Sequence, residues 1–151
     1  MDMLANASNL GKIHFQILHF PIALAMMAVV ADLLWLITRR GIFKASGTFL
    51  IVAAAVMAIP TVIAGDNLMD SLFGENPASI CQWHANLGIT AMGVLIVAAA
   101  LRLIFVNRQT KWWPWVHGLL IVVAAGLVTL TGHLGGVMAW PELFAVPWFV
   151  K

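Results

Sequence analysis

The side chains best suited to chemistry in this sequence are histidines and one carboxylate that lie inside long apolar stretches. His19, His84 and His133 occur in three different stretches, and Asp66 stands at the end of another. Ionisable side chains are costly in an apolar segment, so four of them in four segments predict one shared site. Imidazole is a good ligand for haem iron and for zinc, copper or iron ions.

Two cofactors fit this set of residues. A haem b needs two imidazoles that face each other across a flat ring, and we expect His84 with His133 or His19 as the axial pair. Glycines flank His133 in the run Thr131–Gly136 and would let a macrocycle approach a helix closely. The remaining histidine and Asp66 would then hydrogen-bond a ligand, a propionate or a quinone. A bare divalent ion would instead take His19, His84 and His133 as ligands. Asp66 would be the fourth ligand or would hydrogen-bond to one of the three histidines.

A second polar layer contains Asp32, Arg102 and His117. Charges inside a helical bundle usually pair, which predicts an ion pair between Asp32 and Arg102. A proton relay or a site for a quinone head group is the functional alternative. His14 lies on the N-terminal approach to the first helix, and we expect it to be an interfacial residue outside the bundle.

The composition requires a lipid environment. The chain has 151 residues, of which 62% are hydrophobic and 9% charged, too few charges to cover a soluble globule of this size. It has no basic patch typical of a nucleic-acid binder. Its one cysteine, Cys81, excludes an internal disulfide, and the sequence has no C-x-x-C-H motif for covalent haem attachment.

Four apolar runs are long enough to cross a bilayer. They predict helices over about 13–38, 48–72, 77–106 and 114–138, with residues 139–151 lying along the membrane surface. Pro21 and Pro60 interrupt the first two runs and predict a break or a kink. Short connections favour antiparallel neighbours, so we expect an all-α, single-domain membrane protein over residues 1–151: an up-and-down bundle of four transmembrane helices.

Charge placement predicts the orientation of the bundle. Arg39, Arg40 and Lys44 follow the first run, and Arg108 and Lys111 follow the third. Basic loops stay in the cytoplasm, so both termini should lie on the periplasmic side of a bacterial inner membrane. His19 and His133 would then lie roughly 8 to 9 Å inside the outer ends of their helices, at 1.5 Å per residue.

Several motifs resemble a bacterial family of predicted four-helix membrane proteins with a domain of unknown function. They are His19-Phe20-Pro21-Ile22-Ala23-Leu24, Asp32, Gly65-Asp66, His84 with Gly88, Arg102, and Thr131-Gly132-His133-Leu134-Gly135-Gly136. Members of that family occur joined to, or encoded near, c-type cytochromes and other redox proteins, so the resemblance implies an electron-transfer setting. The layout is also similar, in a general way, to four-helix b-type cytochromes.

These features favour a membrane b-type cytochrome, or a cytochrome-like subunit, that binds one haem b near the periplasmic face. It would pass electrons between a quinol and an outer acceptor such as a c-type cytochrome or another redox subunit. Two alternatives remain open. One is a non-haem metal-binding or transport protein that uses the same residues; the other is a cofactor-free accessory subunit of a redox complex.

The predicted orientation can be tested with reporters fused after Lys151. A reporter that works only in the periplasm should be active at this position. The two basic loops should stay in the cytoplasm, which places the C-terminus on the periplasmic side. Activity of a cytoplasm-only reporter at that position would contradict the orientation and would move the histidine layer to the inner face.

Overall fold

The computed structural model describes residues 8–74, 79–105 and 111–139, and these residues form helices and no strands. The helices are α1 (Asn9–Ile17), α2 (His19–Thr38), α3 (Gly41–Phe73), α4 (Ser79–Phe105) and α5 (Trp113–Ala139). Helices α1 and α2 follow one another and form the first of four candidate spans, Asn9–Thr38. The predicted all-α fold with four membrane-crossing segments is confirmed.

The first span begins earlier than predicted and is broken near its start. The Ser8 hydroxyl accepts a hydrogen bond from the Gly11 backbone N–H and caps α1. The break falls at Leu18, between α1 and α2. Pro21 explains it, because proline has no N–H to donate to the Ile17 carbonyl one turn back. His14 therefore lies on a separate short helix.

The turn between the first two spans consists of Arg39 and Arg40 alone. Arg39 has a left-handed backbone (φ 56°), and its N–H donates to the Trp35 carbonyl, which ends α2. The next helix begins at Gly41, whereas the apolar pattern predicts a start near residue 48. No proline lies between these positions, so the backbone stays helical although Lys44, Ser46 and Gly47 interrupt the apolar pattern. Helix α3 also continues through Pro60.

The spans form a closed ring. Helix α2 packs against α3, α3 against α4, α4 against α5, and α5 against α2, while α1 packs against α3. The core between them consists mainly of small side chains. It includes Ala25, Ala28, Ala54, Ala58, Ala91, Ala98 and Ala124, with Ile51, Leu95 and Ile121 as the large buried residues. Small residues let helix backbones approach closely, which suits packing inside a membrane.

The outer surface of the ring is apolar. Large exposed side chains include Ile37 at 79% exposure, Trp115 at 77% and Phe49 at 71%. A soluble protein rarely exposes such a continuous apolar surface, whereas lipid covers it without cost. The chain is therefore a multi-pass membrane protein.

Some predictions concern residues outside the described ranges. They include the start of the third helix at Pro77, the basic residue Arg108 and the surface segment after residue 139. The orientation of the termini stays a prediction.

Candidate functional site

Two histidines meet inside the bundle near the start of their spans. The rings of His14 in α1 and His84 in α4 have centroids 6.3 Å apart and planes at 83°. Nδ1 of His14 lies 2.9 Å from the Thr61 carbonyl oxygen, and Nδ1 of His84 lies 2.9 Å from that of Thr131. A carbonyl only accepts, so each Nδ1 carries a proton. In the neutral rings, each Nε2 therefore has a free lone pair.

Glycines make room for both rings. A Cβ on Gly65 would lie 2.9 Å from two atoms of the His14 ring, and a Cβ on Gly135 would lie 3.2 Å from Cε1 of His84. Each glycine follows its carbonyl partner, Thr61 or Thr131, by one helical turn. The same unit of histidine, threonine carbonyl and glycine therefore occurs twice.

A cavity of about 410 Å³ surrounds the two histidines. This volume lies within the range of about 300 to 1,000 Å³ that is common for small-molecule sites. Most of its lining is apolar or glycine, including Pro21, Ile22, Gly65, Ala91, Met92, Gly132 and Gly135. His19, Asp66 and Ile89 also line it although their side chains are exposed, so the cavity reaches the outer surface of the bundle.

The histidines that meet in the structure differ from the predicted set of His19, His84 and His133. The prediction that His14 lies outside the bundle is wrong, since its ring contacts His84 and a carbonyl of α3. His133 does not line the cavity. It stands between Thr131 and Gly135, which face His84, and a residue two positions along a helix points to about the opposite side.

The four residues His19, Asp66, His84 and His133 do not assemble into a metal-binding group. Within the described ranges, no three His, Cys, Asp or Glu side chains come close enough to hold one ion. Of this set, His84 has the ring of His14 as a neighbour. The residue that sequence reasoning missed is therefore His14.

An internal repeat could have identified it. His84 follows His14 by 70 positions, and the same offset relates Thr131 to Thr61 and Gly135 to Gly65. The segments Leu50–Ala55 and Leu120–Ala125 are identical at five of six positions at that offset, with Val123 in place of Ala53. The chain consequently contains two equivalent helical hairpins.

Equivalent residues of the two hairpins touch each other. His14 contacts His84, and Asp32 contacts Arg102, which follows it by 70 positions. Equivalent positions can meet only near the axis that relates two repeats. Both polar layers therefore lie close to an approximate two-fold axis between the hairpins.

The second layer is a buried ion pair, as the sequence predicts. Arg102 Nη2 lies 2.8 Å from Asp32 Oδ1, and Arg102 Nη1 lies 3.0 Å from Asp32 Oδ2. Both residues are buried. Gly47 leaves space for the pair, because a Cβ there would lie 2.5 Å from Asp32 Oδ1.

Arg102 also binds the two remaining spans. Its Nε donates to the Thr48 hydroxyl at 3.0 Å, and its Nη2 donates to the Lys44 carbonyl at 3.1 Å. Nη1 lies 2.9 Å from Nδ1 of His117 in α5. Since a guanidinium only donates, Nδ1 of His117 is the acceptor of this hydrogen bond.

Replacing Gly65 should disturb the histidine pair. An added Cβ in Gly65→Ala would push the His14 ring away from the Thr61 carbonyl and remove a hydrogen bond worth about 0.5 to 1.5 kcal/mol. This loss offsets the gain of about 1 kcal/mol that alanine brings to a helix. The free energy of unfolding in detergent should therefore be lower than in the control variant.

The matched control is Gly126→Ala, because a Cβ at Gly126 meets nothing within 4 Å. Only the Gly65 variant should also change the ¹⁵N signals of the His14 ring. Equal stability and unchanged His14 signals in both variants would contradict the close contact between Gly65 and His14.

Comparison with known proteins identifies a family for this chain. No curated protein matches the chain, and no solved structure does. The family model for a predicted membrane protein, DUF2231, matches residues 12–146. This match includes His14 and His84 and all three residues of the buried ion-pair cluster. Because it covers most of the sequence, the chain belongs to this family of membrane proteins.

Proposed function

We propose that this protein is a membrane b-type cytochrome that holds one haem b between His14 and His84. The observation that carries the proposal is a pair of histidines, equivalent in the internal repeat, that face one cavity on the axis of the bundle. Haem b bound there would supply one-electron oxidation and reduction.

The spacing of the rings suits a single iron between them. A metal–imidazole bond is about 2 Å long, and a ring nitrogen lies about 1 Å from its ring centre, so two such ligands place their centres about 6 Å apart. The observed separation is 6.3 Å. The bonds from each Nδ1 to a backbone carbonyl leave Nε2 as the binding atom and fix the ring, which is the usual support of a metal-bound histidine.

The number of ligands favours haem over a bare ion. A bare divalent ion generally needs four or more protein or water ligands, and within the described ranges no third His, Cys, Asp or Glu joins the pair. A haem brings four nitrogens of its own and requires only two axial side chains from the protein. The apolar, glycine-lined cavity also suits a flat, largely apolar ring.

The surroundings support a lipid-soluble electron donor. The cavity reaches the outer surface of the bundle at His19 and Ile89, which are equivalent positions of the two hairpins. A quinol in the bilayer could approach there, and His19 and Asp66 offer polar groups to its head group or to a propionate. We propose a c-type cytochrome or another redox subunit at the membrane surface as the acceptor.

The proposal predicts a red protein. Full-length protein purified in detergent from haem-replete cells should have a Soret band that sharpens and shifts when dithionite is added. His14→Ala and His84→Ala should each lose haem or give a high-spin spectrum, because each removes an axial ligand.

His133→Ala is the matched control and should keep the wild-type spectrum, because His133 does not line the cavity. Haem loss in the His133 variant together with normal haem binding in the His14 variant would contradict the axial pair. A colourless wild-type protein would contradict haem binding, and about one metal ion per chain would then favour the ion-binding alternative.

A further inference from the structure

A groove lies on the outer surface of the bundle between α2 and α3, beside the turn that joins them. Its volume is about 580 Å³, within the range of about 300 to 1,000 Å³ that is common for small-molecule sites. The lining is apolar except for Ser46, and it includes Met27, Ala31, Leu34, Phe43 and Leu50. No residue lines both this groove and the two-histidine cavity. The groove is therefore a separate site.

The groove has the depth of one lipid leaflet. Met27 and Leu34 on α2, like Phe43 and Leu50 on α3, lie seven positions apart, which corresponds to about 10 Å along each helix. From Leu34 and Phe43, roughly another 5 to 8 Å leads to the Arg39–Arg40 turn. Half of the hydrocarbon core of a bilayer is about 15 Å thick. An acyl chain in the groove would therefore extend from near the head-group region to about the middle of the bilayer.

Two small side chains leave space for the groove. Ala31 lines it from α2, and Ser46 lines it from α3. The equivalent positions of the second hairpin, 70 residues later, are occupied by Leu101 and Val116. The first hairpin therefore has small residues where the second has larger ones, and the second hairpin supplies the substitutions that would fill the groove.

Basic side chains surround the end of the groove that is nearest the turn. Arg39 and Arg40 are exposed, and Lys44 is half-buried. Within the described part of the chain, no carboxylate forms an ion pair with any of the three; Asp32, the nearest carboxylate along the chain, binds Arg102. Such unbalanced positive charge at a membrane surface attracts anionic lipid head groups. The charge at this end of the groove is therefore complementary to an anionic phospholipid.

The backbone does not explain why residue 39 is an arginine. Arg39 has a left-handed conformation (φ 56°), which glycine adopts with less strain and usually supplies at a helix end. Its guanidinium carbon lies 5.6 Å from the centre of the Trp35 ring, a distance at which a cation and an aromatic face attract each other. Trp35 thus holds this positive charge beside the turn. A strained residue with an oriented side chain points to a role for that side chain.

We propose that the groove, together with Arg39, Arg40 and Lys44, is a binding site for one anionic phospholipid. One acyl chain lies in the groove between Ala31 and Ser46, and the basic side chains bind the phosphate. Guanidinium groups suit this role because they can donate two parallel hydrogen bonds to a phosphate. A second copy of the chain suits the groove less well. In the same orientation it brings its own basic turn to the same depth, where like charges repel.

The test is native mass spectrometry of the full-length protein in detergent, with phosphatidylglycerol and phosphatidylcholine of identical acyl chains. The wild type should bind one phosphatidylglycerol at least about tenfold more tightly than phosphatidylcholine, because three basic residues attract the anionic lipid. Arg40→Gln should weaken phosphatidylglycerol binding about fivefold, the effect of one basic residue near a membrane surface.

The matched control is Lys111→Gln, which removes an exposed charge next to α5 and should leave binding unchanged. Equal affinity of the wild type for the two lipids would overturn the proposal. Equal losses in the Arg40 and Lys111 variants would also overturn it, because they would indicate a general attraction without a defined site.

The groove is tested with Ala31→Leu and Ser46→Val, which install the residues of the second hairpin. Both variants should weaken the binding of both lipids, because they fill the space of the acyl chain. Ala100→Leu, on an exposed position of α4, should bind both lipids like the wild type. If Ala31→Leu fails to fold, Ser46→Val decides. Unchanged lipid binding in the folded groove variants, or a protein dimer that these variants abolish, would overturn the phospholipid as the occupant.

Arg39 is tested by exchanging it for glycine and for lysine. Arg39→Gly should raise the free energy of unfolding, because it relieves the left-handed backbone, and should weaken phosphatidylglycerol binding. Arg39→Lys keeps the charge and should retain most of the binding. Wild-type binding of phosphatidylglycerol by Arg39→Gly would overturn the role of Arg39 in the site.

Discussion

The guanidinium of Arg102 is the group on which the arrangement of the four spans depends. All five of its N–H donors have partners, and these partners come from each of the other three spans: Asp32, the Thr48 hydroxyl with the Lys44 carbonyl, and His117. An apolar interior offers no water to replace a missing partner. Removing one side of a buried ion pair commonly costs about 3 to 5 kcal/mol. The helices are therefore fixed in depth and rotation at this end of the bundle.

The internal repeat extends this alignment of the helices from the ion pair to the end of the bundle that holds the two histidines. The distance along the chain from His14 to Asp32 equals that from His84 to Arg102, so the hairpins bring both pairs of equivalent residues to the axis. Between the layers, alanines at equivalent positions such as Ala54 and Ala124 keep the helices close. The two histidines meet because the ion pair sets the register and the small-residue core preserves it. The repeat is not exact: Gly47 and His117 occupy equivalent positions but differ in type. Such differences give the two ends of the bundle different chemistry.

Much of the fold follows from the sequence alone. Apolar runs of sufficient length predict the four spans, and the cost of isolated charges predicts the pair of Asp32 and Arg102. The boundaries are harder, because α3 starts at Gly41, in a segment where Lys44, Ser46 and Gly47 interrupt the apolar pattern. The break at Leu18 follows from Pro21, whose missing N–H acts one turn earlier.

The histidine site was only partly predictable. Depth in the membrane selects His133 as readily as His84, but depth does not say which face of a helix a side chain occupies. The packing of Thr131 and Gly135 against His84 settles that for α5. His14 lies at the very start of the first apolar run, where the sequence suggests an interfacial position. The capping of α1 by Ser8 and the packing of α1 on α3 bring it inside the bundle. The constant offset of 70 residues is the sequence signal that links His14 to His84.

The electron paramagnetic resonance spectrum of the purified, oxidised protein tests the central claim most directly. Two imidazoles from His14 and His84 bound in the observed near-perpendicular planes would give a strongly anisotropic low-spin ferric signal. That signal should be absent from the His14→Ala variant. A high-spin signal in the wild-type protein, or a low-spin signal that survives the loss of His14, would contradict a haem held between these two histidines.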